Sequence, residues 1–135
     1  MDSGAILLVE DSEDDAFAFK WAAKKAQLTN PLFAVTDGRQ AISYFSGEGQ
    51  YANREVFPLP AVVFLDLKLP YYSGLEVLAW IRQQPSLHSV STVILSGSNE
   101  SRDRDSTLAL GVDRYLVKPV EPEVLKQIME TLEAA

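Results

Sequence analysis

The chain has 135 residues, of which 47% are hydrophobic, so it can form one domain with a full core. Its formal net charge of -7 argues against a nucleic-acid partner. Without cysteine there is neither a disulfide framework nor a thiolate metal site. The opening Met1-Asp2-Ser3-Gly4 has no basic segment. The apolar run Ala5–Val9 is too short for a signal peptide or a membrane span, so a cytoplasmic protein with no membrane association is expected. There is no internal repeat and no low-complexity tract.

The run Ala5–Val9 reads as a buried strand that stops at Glu10-Asp11. Ser12 and the acidic Glu13, Asp14 and Asp15 then mark the start of a helix. It should run from about residue 14 to residue 26, with Phe19, Ala22, Ala23 and Ala26 inward and Lys20, Lys24 and Lys25 solvated. Leu32–Val35 reads as a second strand. Asp37 followed by Gln40 has the spacing of a capping box, and Ala41, Ile42 and Phe45 give the next helix a buried stripe. From Ser46 to Pro60 periodicity is lost. Gly47, Gly49, Pro58 and Pro60 mark a long loop that Tyr51, Val56 and Phe57 could pin down.

Ala61–Leu65 is an apolar run that leads into Asp66, the pattern of a strand buried on both faces. A helix over 74–84 carries Leu75, Leu78 and Ile81 on one face and ends at Pro85. Val93–Leu95 is a fourth strand, stopping at Ser96-Gly97-Ser98. A weaker helix over 101–110 ends at Gly111. Tyr115–Val117 is a fifth strand, stopping at Lys118-Pro119. Glu121-Pro122 opens a last helix whose buried face is Val124, Leu125, Ile128 and Leu132. Strands alternating with helices predict an α/β fold, a (βα)5 doubly wound five-stranded parallel sheet.

Taken alone, Asp66 could merely cap a turn. Three other strand ends argue otherwise. Glu10-Asp11, Asp66, Ser96 and Lys118 all fall at carboxyl ends of strands, which share one edge of a parallel sheet, where ligands sit. Two carboxylates about 4 Å apart repel by roughly 4 kcal/mol at an effective dielectric of about 20. A hard divalent cation relieves that repulsion, and oxygen-only donors favour Mg²⁺. With Lys118 as a fixed cation and Ser96 as a hydroxyl, the set suits phosphoryl transfer, with Asp66 as the nucleophile that becomes an aspartyl phosphate.

At these residues the chain resembles a response regulator receiver domain of two-component signalling, from about Ala5 to Leu132. The acidic pair, the acceptor Asp, the Ser and the Lys-Pro match in order, with Ser96 and Lys118 lying 30 and 52 residues beyond Asp66. The resemblance implies a flavodoxin-like sheet of order 2-1-3-4-5 and a phosphoryl group accepted from a histidine kinase or a phosphotransfer protein. It implies that Asp11, Asp66 and the Lys68 carbonyl bind Mg²⁺ directly, with Glu10 acting through water. Ser96 and Lys118 would bind phosphoryl oxygens, Ser96 and Tyr115 would act as the switch, and the Lys118-Pro119 bond would be cis. The segment Asp37-Gly38 to Tyr51-Ala52, with Asp66–Pro70, is similar to stand-alone receivers paired with bacterial phytochrome kinases, although Lys68 stands where those often carry Asn.

The expectation is therefore one receiver domain over 1–135 with no output domain. It would be a switch that catalyses only its own phosphorylation and dephosphorylation and signals through protein contacts. A homodimer through the face of the fourth helix, fifth strand and fifth helix is an implication of the resemblance alone. The rival is a phosphatase of haloacid-dehalogenase type, which needs a second Asp where this chain has Lys68. A flavin-binding domain is a third possibility, but no Ser/Thr-rich phosphate loop follows the first strand. Tyr115 could be an ordinary strand aromatic, and Gly97 could either leave room for the phosphoryl group or be an ordinary turn glycine. Tyr71 and Tyr72 could touch a partner or simply be solvated. Trp80 could contact a partner, though partial burial is the expectation, and His88, the only histidine, is expected to be solvated.

Overall fold

The computed structural model describes residues 4–97 and 101–134. Residues 1–3, and Ser98 of the turn expected after the fourth strand, lie outside the described residues. The strands are β1 (Ile6–Val9), β2 (Leu32–Val35), β3 (Val62–Asp66), β4 (Ser91–Ser96) and β5 (Arg114–Val117). The helices are α1 (Glu13–Lys25), α2 (Gly38–Ser46), α3 (Gly74–Arg82), α4 (Ser101–Ala109) and α5 (Pro122–Ala134). All pairings are parallel, in the order β2-β1-β3-β4-β5.

Side chains alternate across each strand and feed two cores. Leu7, Val9, Val63, Leu65 and Ile94 pack with Ala41, Tyr44 and Phe45 of α2 and with Leu78 and Ile81 of α3. On the other face Ile6, Leu8, Phe64, Val93 and Leu95 meet Phe19 of α1 and Leu125, Ile128 and Met129 of α5. Because both faces are covered, β1 and β3 read as unbroken apolar runs rather than as alternating patterns. The Phe64 ring sits 4.8 Å from Phe19, anchoring α1 over the central strand. Among the described residues no helix is long and apolar enough to cross a membrane.

Several local expectations change. Asp37 does cap α2, accepting from the Gln40 N–H at 2.7 Å, but the Gln40 side chain accepts from Thr36 rather than returning to Asp37. The full capping box is at α3, where Ser73 and Glu76 bond each other's backbone N–H groups. Val56 does not pin the long loop; it is exposed, whereas Tyr51 is buried in a 3-10 turn (Gly49–Tyr51) and packs at an angle against Tyr44 and edge-on against Phe57. Val124 is also exposed, and Met129 takes the inward place on α5. α3 stops at Arg82, before Pro85, which instead begins a 3-10 turn (Pro85–Leu87). Trp80 is half-buried against Phe45, and His88 is exposed.

Candidate functional site

The carboxyl ends of β1, β3, β4 and β5 lie side by side because the strands pair in parallel register. The last pairs are Val9 with Leu65, Asp66 with Leu95 and Ser96 with Val117. Each residue just past these pairs is therefore delivered to one edge. The Glu10 N–H donates to the Val35 carbonyl, which carries the β1 direction one residue beyond the strand. The Leu67 N–H donates to the Leu95 carbonyl, and the Lys118 N–H donates to the Ser96 carbonyl at 2.7 Å. That last bond fixes Lys118 beside Ser96. The Lys118-Pro119 peptide is cis.

Glycine at 74 lets the β3 turn close. A Cβ there would run into the Asp66 carbonyl and lie 2.7 Å from the Leu67 Cα. The Gly74 N–H donates to the Leu67 carbonyl at 2.8 Å, so the start of α3 is pressed onto the backbone of Asp66.

At this edge, ligand oxygens of Glu10, Asp11 and Asp66 lie within 4.8 Å of one another. Glu10 and Asp66 are buried and Asp11 is exposed. The Lys118 Nζ donates to Glu10 Oε1 at 2.6 Å, to Asp66 Oδ2 at 3.1 Å and to Asp15 Oδ2 at 2.9 Å. The remaining Glu10 oxygen accepts from the Ser12 N–H, and Asp66 Oδ1 accepts from the Lys68 N–H, both at 3.2 Å. Burial pushes the Glu10 carboxyl up to about 7, and neighbouring Asp66 adds to the rise although the Lys118 hydrogen bond opposes it. Burial alone would lower the Lys118 ammonium, but its bonds to Glu10, Asp15 and Asp66 outweigh this and raise it.

One ammonium thus pairs with three carboxylates, and Asp11 adds a fourth acid to the cluster. The excess negative charge, the oxygen-only donors and the open side at Asp11 fit a hard divalent cation. Ser96 is buried at the β4 end. Tyr115 is half-buried on β5, with the Arg104 guanidinium 5.4 Å from its ring centre. The Lys68 side chain, two residues past Asp66, is exposed, as are those of Tyr71 and Tyr72.

Glu10, Asp11, Asp66 and Lys118 come together, with Ser96 joined through the Lys118 backbone. Asp15, in the sequence only a helix-start charge, also reaches the same ammonium. Its signal in the sequence is its place in the first turn of a helix that begins directly after Glu10-Asp11. Gly74, in the sequence only a helix start, closes the β3 turn.

The family model for the response regulator receiver domain matches residues 6–130. Response regulator Rcp1 of Synechocystis sp. is 33% identical over 129 residues, spanning 96% of this chain and 86% of that protein. A structure of the Mn²⁺-bound form of Rcp1 superposes with a TM-score of 0.78, covering 97% of this chain and 92% of that one. The bacteriophytochrome response regulator RtBRR is 40% identical with a TM-score of 0.86, covering 98% of this chain and 78% of that one. The phosphorylated cyanobacterial phytochrome response regulator RcpA is 34% identical with a TM-score of 0.80, covering 96% and 91%. Receiver domains are phosphoryl-accepting signalling modules with an acidic site for a divalent cation. With three strand ends delivering the acids and the lysine to one edge, and with these matches along nearly the whole chain, the protein belongs to the response regulator receiver domain family.

Proposed function

We propose that Asp66 is the phosphoryl acceptor and that this chain works as a stand-alone switch taking its phosphoryl group from a histidine kinase of the phytochrome type. One observation carries the reading: Lys118 Nζ bonds both Glu10 and Asp66, while Asp11 closes the same carboxylate cluster. An Asp66 oxygen attacks the phosphorus of a phosphohistidine. The P–O bond forms as the P–N bond breaks, and the imidazole leaves with a proton from solvent. Lys118 neutralises the phosphoryl oxygens and holds them in line.

Mg²⁺ is the cation that suits these donors, held by Asp11, Asp66 and the Lys68 carbonyl with Glu10 acting through water; when bound, it supplies charge neutralisation for the phosphoryl group. Ser96 binds a phosphoryl oxygen in the active state, and Tyr115 turns inward with it. The change spreads over the α4-β5-α5 face, which serves as a homodimer or partner surface. Phosphate shifts this equilibrium only as far as it binds the two states differently. The chain acts in the cytoplasm as a single domain and catalyses only its own phosphorylation and dephosphorylation. The phytochrome link draws support from the named function of RtBRR and RcpA. The phosphatase reading has no support, since Lys68 occupies the place of the required second carboxylate.

Phosphotransfer profiling tests this reading. Purified, autophosphorylated histidine kinases, phytochrome-linked ones among them, are mixed with the chain and with Asp66→Asn. Fast transfer from a phytochrome kinase to the wild type alone is expected. Equal transfer to Asp66→Asn, or transfer only from unrelated kinases, contradicts it.

A further inference from the structure

A lysine ammonium carries three donors, and here three carboxylates take them: Glu10, Asp15 and Asp66. A phosphoryl oxygen arriving at Asp66 finds no unclaimed proton on Lys118, so one of these bonds must yield or be shared. The three partners differ in what release costs. The Glu10 side chain is 2% exposed and its second oxygen is tied to the Ser12 N–H. Stripping its cation would strand a buried charge. Asp66 is the group being phosphorylated, so its contact passes to the phosphoryl group itself. The Asp15 side chain is 45% exposed, and water can replace its lost bond. A cleft of about 250 Å³ opens beside it, lined in part by Ala18, Phe19 and Val120, with room for the carboxylate to swing aside.

We infer that Asp15 is a positioning residue that restrains Lys118 in the unphosphorylated chain and competes with the phosphoryl group for its ammonium. The α1 start holds it there, since the Asp15 N–H is fixed to the Ser12 Oγ at 3.2 Å. Asp15 is not one of the three carboxylates that lie within 4.8 Å of one another, and its contact is with the lysine, so its role is exerted there. Removing its charge weakens its hold on one donor and removes one repelling carboxylate, and both effects favour an incoming phosphoryl group. The inference rests on the proposed role of Asp66 and Lys118.

Beryllofluoride, a stable mimic of a phosphoryl group on a carboxylate, provides the test. Its dissociation constant is measured by 19F NMR at saturating Mg²⁺ for the wild type, Asp15→Asn, Asp15→Glu, Asp14→Asn and Asp66→Asn. Asp14 is exposed and makes no ion pair among the described residues, so its variant removes the same charge from the same helix turn without the Lys118 contact. Asp15→Asn should bind about three- to ten-fold more tightly, whereas Asp15→Glu and Asp14→Asn stay within about two-fold of the wild type. Unchanged or weaker binding by Asp15→Asn overturns the inference, as does an equal gain in Asp14→Asn. Binding by Asp66→Asn as tight as wild type overturns instead the assignment of the acceptor on which the inference rests.

Discussion

Lys68 lies two residues past Asp66, where the resemblance to stand-alone receivers leads one to expect Asn. Its N–H already serves Asp66 Oδ1, while its side chain is exposed. In the proposed function its carbonyl holds the cation, a role indifferent to the side chain. An ammonium next to an aspartyl phosphate, by contrast, pairs with the phosphoryl oxygens and slows their attack by water. Lys68→Asn should therefore shorten the lifetime of the phosphorylated protein by about two- to five-fold, the range of one exposed ion pair. The decay of acid-labile label after the donor is removed checks this, and an unchanged lifetime counts against it. At this scale the sequence was most legible for groups whose position is set by a strand end. Glu10, Asp11, Asp66, Ser96 and Lys118 each follow directly from where an apolar run stops. Asp15 was less legible because its reach depends on the angle at which α1 leaves β1, which no residue pattern encodes.

The long connection between α2 and β3 shows how an irregular element is fixed without repeating structure. Arg54 donates to the carbonyls of Tyr44 and Phe45 at 2.8 Å and to that of Phe57 at 3.2 Å. It thereby satisfies the open C-terminal carbonyls of α2 with a side chain from the loop itself. Tyr44 then donates to the Pro58 carbonyl at 2.9 Å, and the rings of Tyr44, Tyr51 and Phe57 pack together. Arg54→Ala should cost about 1–3 kcal/mol in urea unfolding, because it leaves several carbonyls without their charged donor. Amide exchange should accelerate over 47–60 while phosphorylation of Asp66 keeps its rate; a rate that falls with stability would tie this loop to the site. The loop's aromatic residues were visible in the sequence, but the arginine that organises them was not. A basic residue in a loop is ordinarily solvated, and only the fold brings three carbonyls to face it. The buried helix stripes were legible where the period is clean, as at Leu78 and Ile81, and less so on α5, where apolar residues spread round the helix so that Val124 falls outside the buried face and Met129 within it.

For the molecule as a whole, the two cores and the acidic edge make different demands on pH. Burial pushes the Tyr44 phenol up to about 12 from 10.0. A raised folded value means that the unfolded chain loses this proton first as pH rises. Stability is thus intact below 10.0 and falls as pH climbs through about 12. Lys118, also raised, acts with the same sign in strongly alkaline solution. Tyr44→Phe should therefore flatten the alkaline loss of stability seen by urea unfolding between pH 10.0 and about 12, while sacrificing about 1 kcal/mol at neutral pH with the Pro58 hydrogen bond. An alkaline profile identical to the wild type would show that another group carries the loss. The overall topology was legible because strands and helices alternate without interruption, which leaves few ways to wind a parallel sheet.

Intact-mass spectrometry after incubation with acetyl phosphate, with and without Mg²⁺, tests the joining of these strand ends into a phosphoryl-accepting site most directly. The wild type should gain one phosphoryl group, only with Mg²⁺, and Asp66→Asn should gain none. A chain that gains the group without a divalent cation, that gains it equally in Asp66→Asn, or that releases inorganic phosphate over many turnovers while remaining unmodified would contradict it.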